Sequence, residues 1–302
     1  MTRYVFIVNG REDKKRALDD IKERLEPFAG KIVYDIYVTT CPGDATRYVS
    51  LYCDLHENQP TCFVACGGDG TINEVASGLM GASEDKSMAV LAYGTGNDFV
   101  KYYPGRDFND LGALLDGEEH SIDILRVNDR FSINVCNFGF DSIVASTANR
   151  LSVKGFKKPF RLGIVAAILS GRFNRISVSA DGESLGGKKM LLCTLANCQY
   201  VGGEFFCAPK AKNDDGLIDV CLLRTMSLMK FLQILPVYTK GEHLDSPNFK
   251  DKIVFRKAKT VHVEAPKTIE LCIDGEMISG KSFNVSVEPK AINLIVPAQK
   301  NN

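Results

Sequence analysis

Residues 67–75, GGDGTINEV, follow directly on the apolar run TCFVAC (61–66), and this junction decides the fold. A short apolar run closed by three glycines, with apolar residues then recurring at helical spacing, predicts a buried strand, a tight loop and a helix. Gly67, Gly68 and Gly70 admit positive φ and close backbone approach. Successive N–H groups can then face phosphate oxygens, with the positive end of the following helix behind them. Asp69 is repelled by phosphate unless a magnesium ion or a donor stands between, so it implies a metal or a reactive hydroxyl nearby. Thr71, with Glu74 three residues on, also fits a helix capping box. That cap explains neither the three glycines nor the aspartate.

Outward from this junction, YVFIV (4–8), KIVYDIYVT (31–39) and MAVLAY (88–93) predict three more strands. Between them lie segments such as that carrying Leu18, Ile21 and Leu25 at helical spacing. This alternation predicts a parallel sheet covered by helices, whose ligands bind beyond the carboxyl ends of the strands. A second glycine loop, GTGNDF (94–99), follows the fourth strand and brings Gly94, Thr95, Asn97 and Asp98 to the same crevice. After about Asp123 the rhythm becomes that of alternating strands. Ile269, Leu271 and Ile273 share one face, Phe283, Val285 and Val287 another, and Asp181-Gly182 marks a turn. Two helix-like stretches, 159–169 and 227–240, interrupt it. The closing run AINLIVP (291–297) is expected to return to the first domain. The expected domains are therefore 1–123 with about 290–302, and 124–289.

With 302 residues, 45% hydrophobic and 25% charged, the chain can bury a core in each of two domains. Basic and acidic residues both total 37, which argues against nucleic acid as a partner and against global attraction to an anionic bilayer. The ten cysteines lie mostly in apolar runs and never in CxxC spacing, as expected of reduced core thiols in the cytosol. MTRYVFIVNG lacks a signal-peptide layout. The longest nearly uncharged stretch, 162–171, is far short of the ~20 apolar residues that cross a bilayer. A lipid substrate would therefore have to be met at the membrane surface.

GGDGTINEV followed by GTGNDF resembles the diacylglycerol-kinase-like lipid kinases, a family that includes sphingosine and ceramide kinases. The match extends to Asp123 in SIDILRVN, to NVCNFGFD (134–141), to GGEFFCAPKAKNDDGLIDV (202–220), to Gly241-Glu242-His243 and to Asp274-Gly275-Glu276. The resemblance implies an α/β Rossmann-like, phosphofructokinase/NAD kinase-like N-terminal domain and a C-terminal β-sandwich. It implies ATP contacts from residues 67–73 and Glu74, from Gly94, Thr95, Asn97 and Asp98, from Thr40, and from Asn9 and Gly10 after the first strand. It further implies that Glu276, in a bulge-like DGE, takes the proton of the lipid hydroxyl, with Asp69 sharing the catalytic work. Without the family, Asp274-Gly275 is a good hairpin turn and Glu276 a solvated residue.

KNDDGL (212–217) is a turn whose acidic pair can hold a hard cation or can be a plain surface turn. The resemblance implies structural magnesium on Asp215 with the carbonyls of Lys212 and Leu217. Where the family carries an NPxSG-like first loop, this chain has Asn9-Gly10-Arg11-Glu12-Asp13-Lys14, so phosphate binding is expected to lean on Arg11 or Lys14. Residues 154–175 place six basic residues around an apolar centre, which suits either a bilayer interface or a core helix with solvated ends. The histidines show no ligand spacing and are expected to be structural.

Two rival readings remain. NAD kinases also join GGDGT to a β-rich domain, and carry an Asn-Glu or Asn-Asp pair where GTGNDF stands, but the C-terminal DGE fits the lipid branch. A nucleotide- or lipid-sensing module without turnover is disfavoured by intact Asp69 and Glu276. The expected activity is ATP- and magnesium-dependent phosphorylation of a lipid, diacylglycerol first, by a cytoplasmic protein in peripheral membrane contact. A homodimer is compatible with the sequence, which encodes no oligomeric signal.

Overall fold

The computed structural model describes residues 1–10, 15–139 and 174–299, with the backbone alone at 15, 16, 174, 187, 188 and 228. Arg11, Lys14, Asp141, the helix expected over 159–169 and the basic segment from 154 to 173 lie outside the described residues. The chain divides into two compact units, Met1–Asp123 with Pro289–Asn302, and Ile124–Glu288.

In the first unit, strands β1 (Arg3–Val8), β2 (Val33–Val38), β3 (Thr61–Gly67) and β4 (Lys86–Ala92) are parallel in the order β2-β1-β3-β4. β3 is buried along its whole length, as its unbroken apolar run requires of a strand covered on both faces. β4 begins at Lys86, earlier than the apolar run suggests, because the buried Lys86 ammonium donates to the carbonyls of Glu57 and Gln59, each at 3.1 Å. Helix α1 (Lys15–Leu25) buries Ala17, Ile21 and Leu25, and α2 (Asp44–Leu55) buries Ala45, Val49 and Cys53, both at i, i+4, i+8 spacing. Helix α3 (Asp69–Gly78) comes close to α2 through Gly78, where an added Cβ would lie 2.7 Å from Thr46 O. A short helix α4 (Leu111–Leu115) is capped by Asp110, whose carboxylate accepts from Ala113 N at 3.0 Å.

The second unit is antiparallel. Its strands are β5 (Glu118–Val127, entering from the first unit), β6 (Arg130–Ser132), β7 (Val135–Gly139), β8 (Asn174–Ala180), β9 (Glu183–Ala196), β10 (Ile218–Arg224), β11 (Ile253–Ala258), β12 (Thr260–Ile273) and β13 (Glu276–Val296). The order runs β11-β10-β9-β7-β12-β13, with β8 bonded to both β9 and β12. β12 gives Val261–Glu264 to β8 and Leu271–Ile273 to β7 while pairing with β13, so one 14-residue strand serves three sheet partners. Ile269, Leu271, Ile273, Phe283 and Val285 enter one core with Phe138 and Val220. Helix α5 (Leu228–Thr239) packs Phe231, Ile234 and Tyr238 on a second core with Val135, Cys221 and Leu223. The Asp181-Gly182 turn has φ of 48° and 83°. AINLIVP is the last part of β13 rather than a separate strand; it lies in the first unit, where Leu294 pairs with Met88 of β4.

All ten cysteines are free thiols and all but Cys41 are buried; burial pushes Cys53 up to about 11 and Cys62 up to about 12. Among the described residues no helix is long and apolar enough to cross a membrane. His243 is fully buried, its ring 4.6 Å from that of Tyr238, and burial lowers its pKa from 6.5 to about 4, against the opposing influence of Cys207 O and Asp245. Below pH 6.5 the unfolded chain takes up a proton that the folded chain refuses, so stability falls as pH drops through this window to about 4. The full effect is about 3 kcal/mol. Urea titrations across that window are expected to show a steeper decline for the native chain than for His243→Phe, which keeps the aromatic contact and removes the proton.

Candidate active site

The carboxyl ends of β1, β3 and β4 meet where the strand order reverses, the position at which open α/β sheets bind ligands. Asn9 leaves β1 and donates from Nδ2 to Thr71 Oγ1 at 3.2 Å, bridging to the loop after β3. Gly10 N donates to Thr39 Oγ1 at 3.2 Å. The two glycine loops touch: a Cβ on Gly94 would stand 2.4 Å from Gly68 Cα, and one on Gly68 would stand 3.0 Å from Gly94 Cα. Asp69 Oδ1 accepts from Phe99 N at 3.0 Å, tying the first loop to the end of the second. A Cβ on Gly96 would lie 3.2 Å from Asp69 Oδ2 and 3.5 Å from Asp98 Oδ2, so both carboxylates converge there. Lys101 Nζ, 2.7 Å from Asp98 Oδ1, offsets part of that charge.

Two local expectations are corrected. Gly67, Gly68 and Gly70 are not in the positive-φ region. The need for glycine is steric at two of them, since a Cβ at Gly67 would meet Thr71 Oγ1 at 2.2 Å, while Gly70 has nothing within 4 Å. Nor is there a Thr71–Glu74 capping box. The N-cap of α3 is Gly68 and the helix begins at Asp69, which places the Asp69 carboxylate in the first turn, where it complements the helix dipole. Thr71 is therefore inside the helix. Glu74 instead accepts from Ala45 N at 3.1 Å, capping the neighbouring helix α2, a long-range bond with no local signature.

Of the other residues expected at the nucleotide, Thr40 closes onto Asp44, whose Oδ2 accepts from both Thr40 N and Thr40 Oγ1 at 2.8 Å. Those two bonds hold the Asp44 carboxyl below its usual range, with the Arg47 guanidinium at 2.6 Å contributing less. Asn73 accepts from Ser77 Oγ at 3.5 Å, Asn97 adopts φ 49°, and Thr95 is exposed at the loop tip.

Glu276 belongs to the second unit. It opens β13 directly after a two-residue hairpin loop, with Ile273 and Glu276 paired and both Asp274 and Gly275 at positive φ (46° and 94°). That is a type I′ turn rather than the expected bulge. Asp274, which local pattern marks only as a turn residue, is the anchor. Its carboxylate accepts from Ser132 Oγ, Ile133 N and Val135 N, each at 2.8 Å, and from Asn134 N at 3.2 Å. With Asp274 so held, the Glu276 carboxylate projects half-exposed, its nearest cation Arg130 at 3.9 Å.

At the KNDDGL turn, Asp215 Oδ1 accepts from Leu217 N at 3.1 Å and Oδ2 from Lys257 Nζ at 2.7 Å; the same ammonium lies 3.0 Å from buried Asp219. Burial raises Asp219, while burial of Lys257 is outweighed by its two carboxylates, leaving that ammonium raised. These residues do not fit a magnesium ion on Asp215 with the Lys212 and Leu217 carbonyls unless that ammonium is displaced. No cluster of three or more acidic, His or Cys ligands occurs among the described residues. Lys257→Met is expected to lower unfolding free energy by about 3 kcal/mol, the order of cost for stranding a buried carboxylate. In urea denaturation the loss should shrink as pH falls and the Asp219 carboxyl, raised above the usual carboxylate range by burial, protonates.

Two family models match the chain: a diacylglycerol kinase catalytic domain over residues 3–127 and a YegS C-terminal NAD kinase beta sandwich-like domain over 134–296. The diacylglycerol kinase of Bacillus subtilis (strain 168) is 29% identical, with 99% of this chain and 98% of that protein covered. A protein of Cronobacter sakazakii (strain ATCC BAA-894) named "Probable lipid kinase YegS-like" is 31% identical, with 87% and 86% covered. A crystal structure of a diacylglycerol kinase from Bacillus anthracis str. Sterne superposes with TM-score 0.72 over 97% of this chain and 96% of that one, at 19% identity, a likeness of fold. With glycine loops joined at the strand ends of an α/β unit and a β-sandwich-like unit carrying the DGE hairpin, the chain belongs to the diacylglycerol kinase/YegS-like family of lipid kinases.

Proposed function

We propose that the protein transfers the γ-phosphate of ATP to the hydroxyl of diacylglycerol at a membrane surface, forming phosphatidic acid. The observation that carries this reading is the joined pair of loops, Gly68 against Gly94 with Asp69 held by Phe99 N. It presents backbone amides and the start of α3 to a triphosphate. Asp69 and Asp98 converge beside it and fit a magnesium ion bound by one or two carboxylates and the phosphates of the nucleotide. Magnesium there supplies charge neutralisation to the β- and γ-phosphates. The chain's own residues do the rest: Asn9 and Thr71 brace the first loop, and Phe99 N fixes the aim of Asp69. Glu276 accepts the proton of the attacking hydroxyl, the single proton transfer that phosphoryl transfer needs from a side chain.

The test is incubation of purified protein with labelled ATP, magnesium and a panel of lipids in mixed micelles. Labelled phosphatidic acid is the expected product. Labelled NADP from NAD instead would assign the rival kinase activity, and ATP binding with no labelled product from any lipid would assign a sensing module.

A further inference from the structure

The second unit contains a cavity of about 820 Å³ that the phosphoryl-transfer reading does not use. Arg175, Lys189, Arg224 and Lys252 line it, with Glu264 as the lining carboxylate. Their arrangement gathers like charges on one face, with Arg175, Lys189 and Arg224 exposed. Arg175 and Lys189 are directly opposite each other on β8 and β9, where like charges destabilise an antiparallel pair. Arg224 N donates to Lys252 O at 2.8 Å, so Arg224 at the end of β10 and Lys252 just before β11 are backbone neighbours, and both line the cavity. Lys252 has a partner in Asp251 at 3.1 Å. No ion pair engages Arg175, Lys189 or Arg224 among the described residues, although Glu264 shares the cavity. Ser177 and Thr225 add hydroxyl donors, and Ala265 and Pro266 an apolar wall.

We infer that this cavity is a binding site for a phosphate mono- or diester. Two guanidinium forks and two ammoniums match the several oxygens of a phosphoryl group, and Arg binds such a group bidentately. The volume suits a headgroup-sized ligand, within the ~300–1,000 Å³ of small-molecule sites. Phosphate bound there relieves the facing of Arg175 and Lys189 that the strand register imposes. The ligand is either the headgroup of an anionic phospholipid or a soluble phosphate ester, which share this chemistry. The inference goes beyond the proposed function and does not depend on it.

The experiment compares the native chain with the double variant Lys189→Gln/Arg224→Gln. A charge-matched control, Lys240→Gln/Lys281→Gln, removes two exposed cations that do not line the cavity. Thermal unfolding confirms that all three are folded. One arm measures sedimentation with phosphatidylcholine vesicles containing phosphatidylglycerol, and the other measures calorimetric binding of glycerol 1-phosphate. In the arm that holds the ligand, the cavity variant is expected to bind about 10- to 30-fold more weakly, since each cation near an anionic surface contributes close to a factor of five. Loss in the vesicle arm alone assigns a lipid headgroup, and loss in the calorimetric arm a soluble ester. The inference is overturned if the native chain binds neither, if the cavity variant binds as the native chain does, or if the control loses as much.

Discussion

Glu276→Gln is expected to lower turnover of the lipid by about 10²- to 10⁴-fold, the contribution of a positioned general base. The substituted amide keeps the size and hydrogen bonding of the carboxylate but cannot carry away the proton. ATP affinity should change by less than about twofold, because the loops proposed to hold the nucleotide lie within residues 67–99 and the 3.9 Å contact with Arg130, between half-exposed groups, contributes little. Melting temperature should be unchanged for the same reason. Asp274→Ala provides the contrast. It removes the acceptor for three backbone N–H groups and the Ser132 hydroxyl, so it should lower both turnover and stability, the latter by about 3 kcal/mol. Rates under substrate saturation, read beside urea midpoints, separate the two. Near-normal turnover of Glu276→Gln alongside an inactive Asp69→Asn would sink the assignment of the base.

Gly94→Ala should weaken ATP binding by about 10- to 100-fold, the equivalent of the ~1–3 kcal/mol that overpacking costs. Its new methyl would lie 2.4 Å from Gly68 Cα and from Asn97 Oδ1. One of those neighbours is backbone and cannot rotate away, so the loops must separate, and with them Asp69 from Phe99 N. Gly68→Ala, with its closest contact at 3.0 Å, should be milder. Equilibrium binding of ATP, with thermal unfolding as the check on folding, decides between this ordering and one in which the loops act independently. Equal affinity in Gly94→Ala and the native chain would show that their contact does not shape the site.

What the sequence made legible follows from how far each signal reaches. β3 and its glycine loop could be identified because burial on both faces demands an unbroken apolar run, and because close backbone approach demands glycine whichever way φ turns. The neighbours that require those glycines were not legible. Thr71 Oγ1 crowds Gly67 from the first turn of α3, a local contact that depends on where the helix begins, and Gly94 crowds Gly68 from the second loop, a tertiary one. The capping motif misled in the same way: Thr71 and Glu74 have the right spacing, but Glu74 serves the N-terminus of α2, 29 residues away. Asp274 carries the heaviest hydrogen-bond load near the DGE hairpin from donors 139 to 142 residues distant. Lys257 likewise reaches Asp215 across 42 residues, so a turn that fits a hard cation in isolation is answered by an ammonium in the fold.

The placement of β13 bears on how the chain is made. The segment that lies beside β4, at Leu294 against Met88, is encoded after the whole of the second unit. During synthesis, β4 must therefore emerge and pair with β3 while its far edge waits for a strand about 200 residues downstream, a long interval at ribosomal rates of ~5–20 residues per second. An unpaired parallel edge is a template for the wrong neighbour. The α/β unit, though it comes first in the gene, is thus completed last, and its exposed rim is the place where a trailing chaperone would have most to protect.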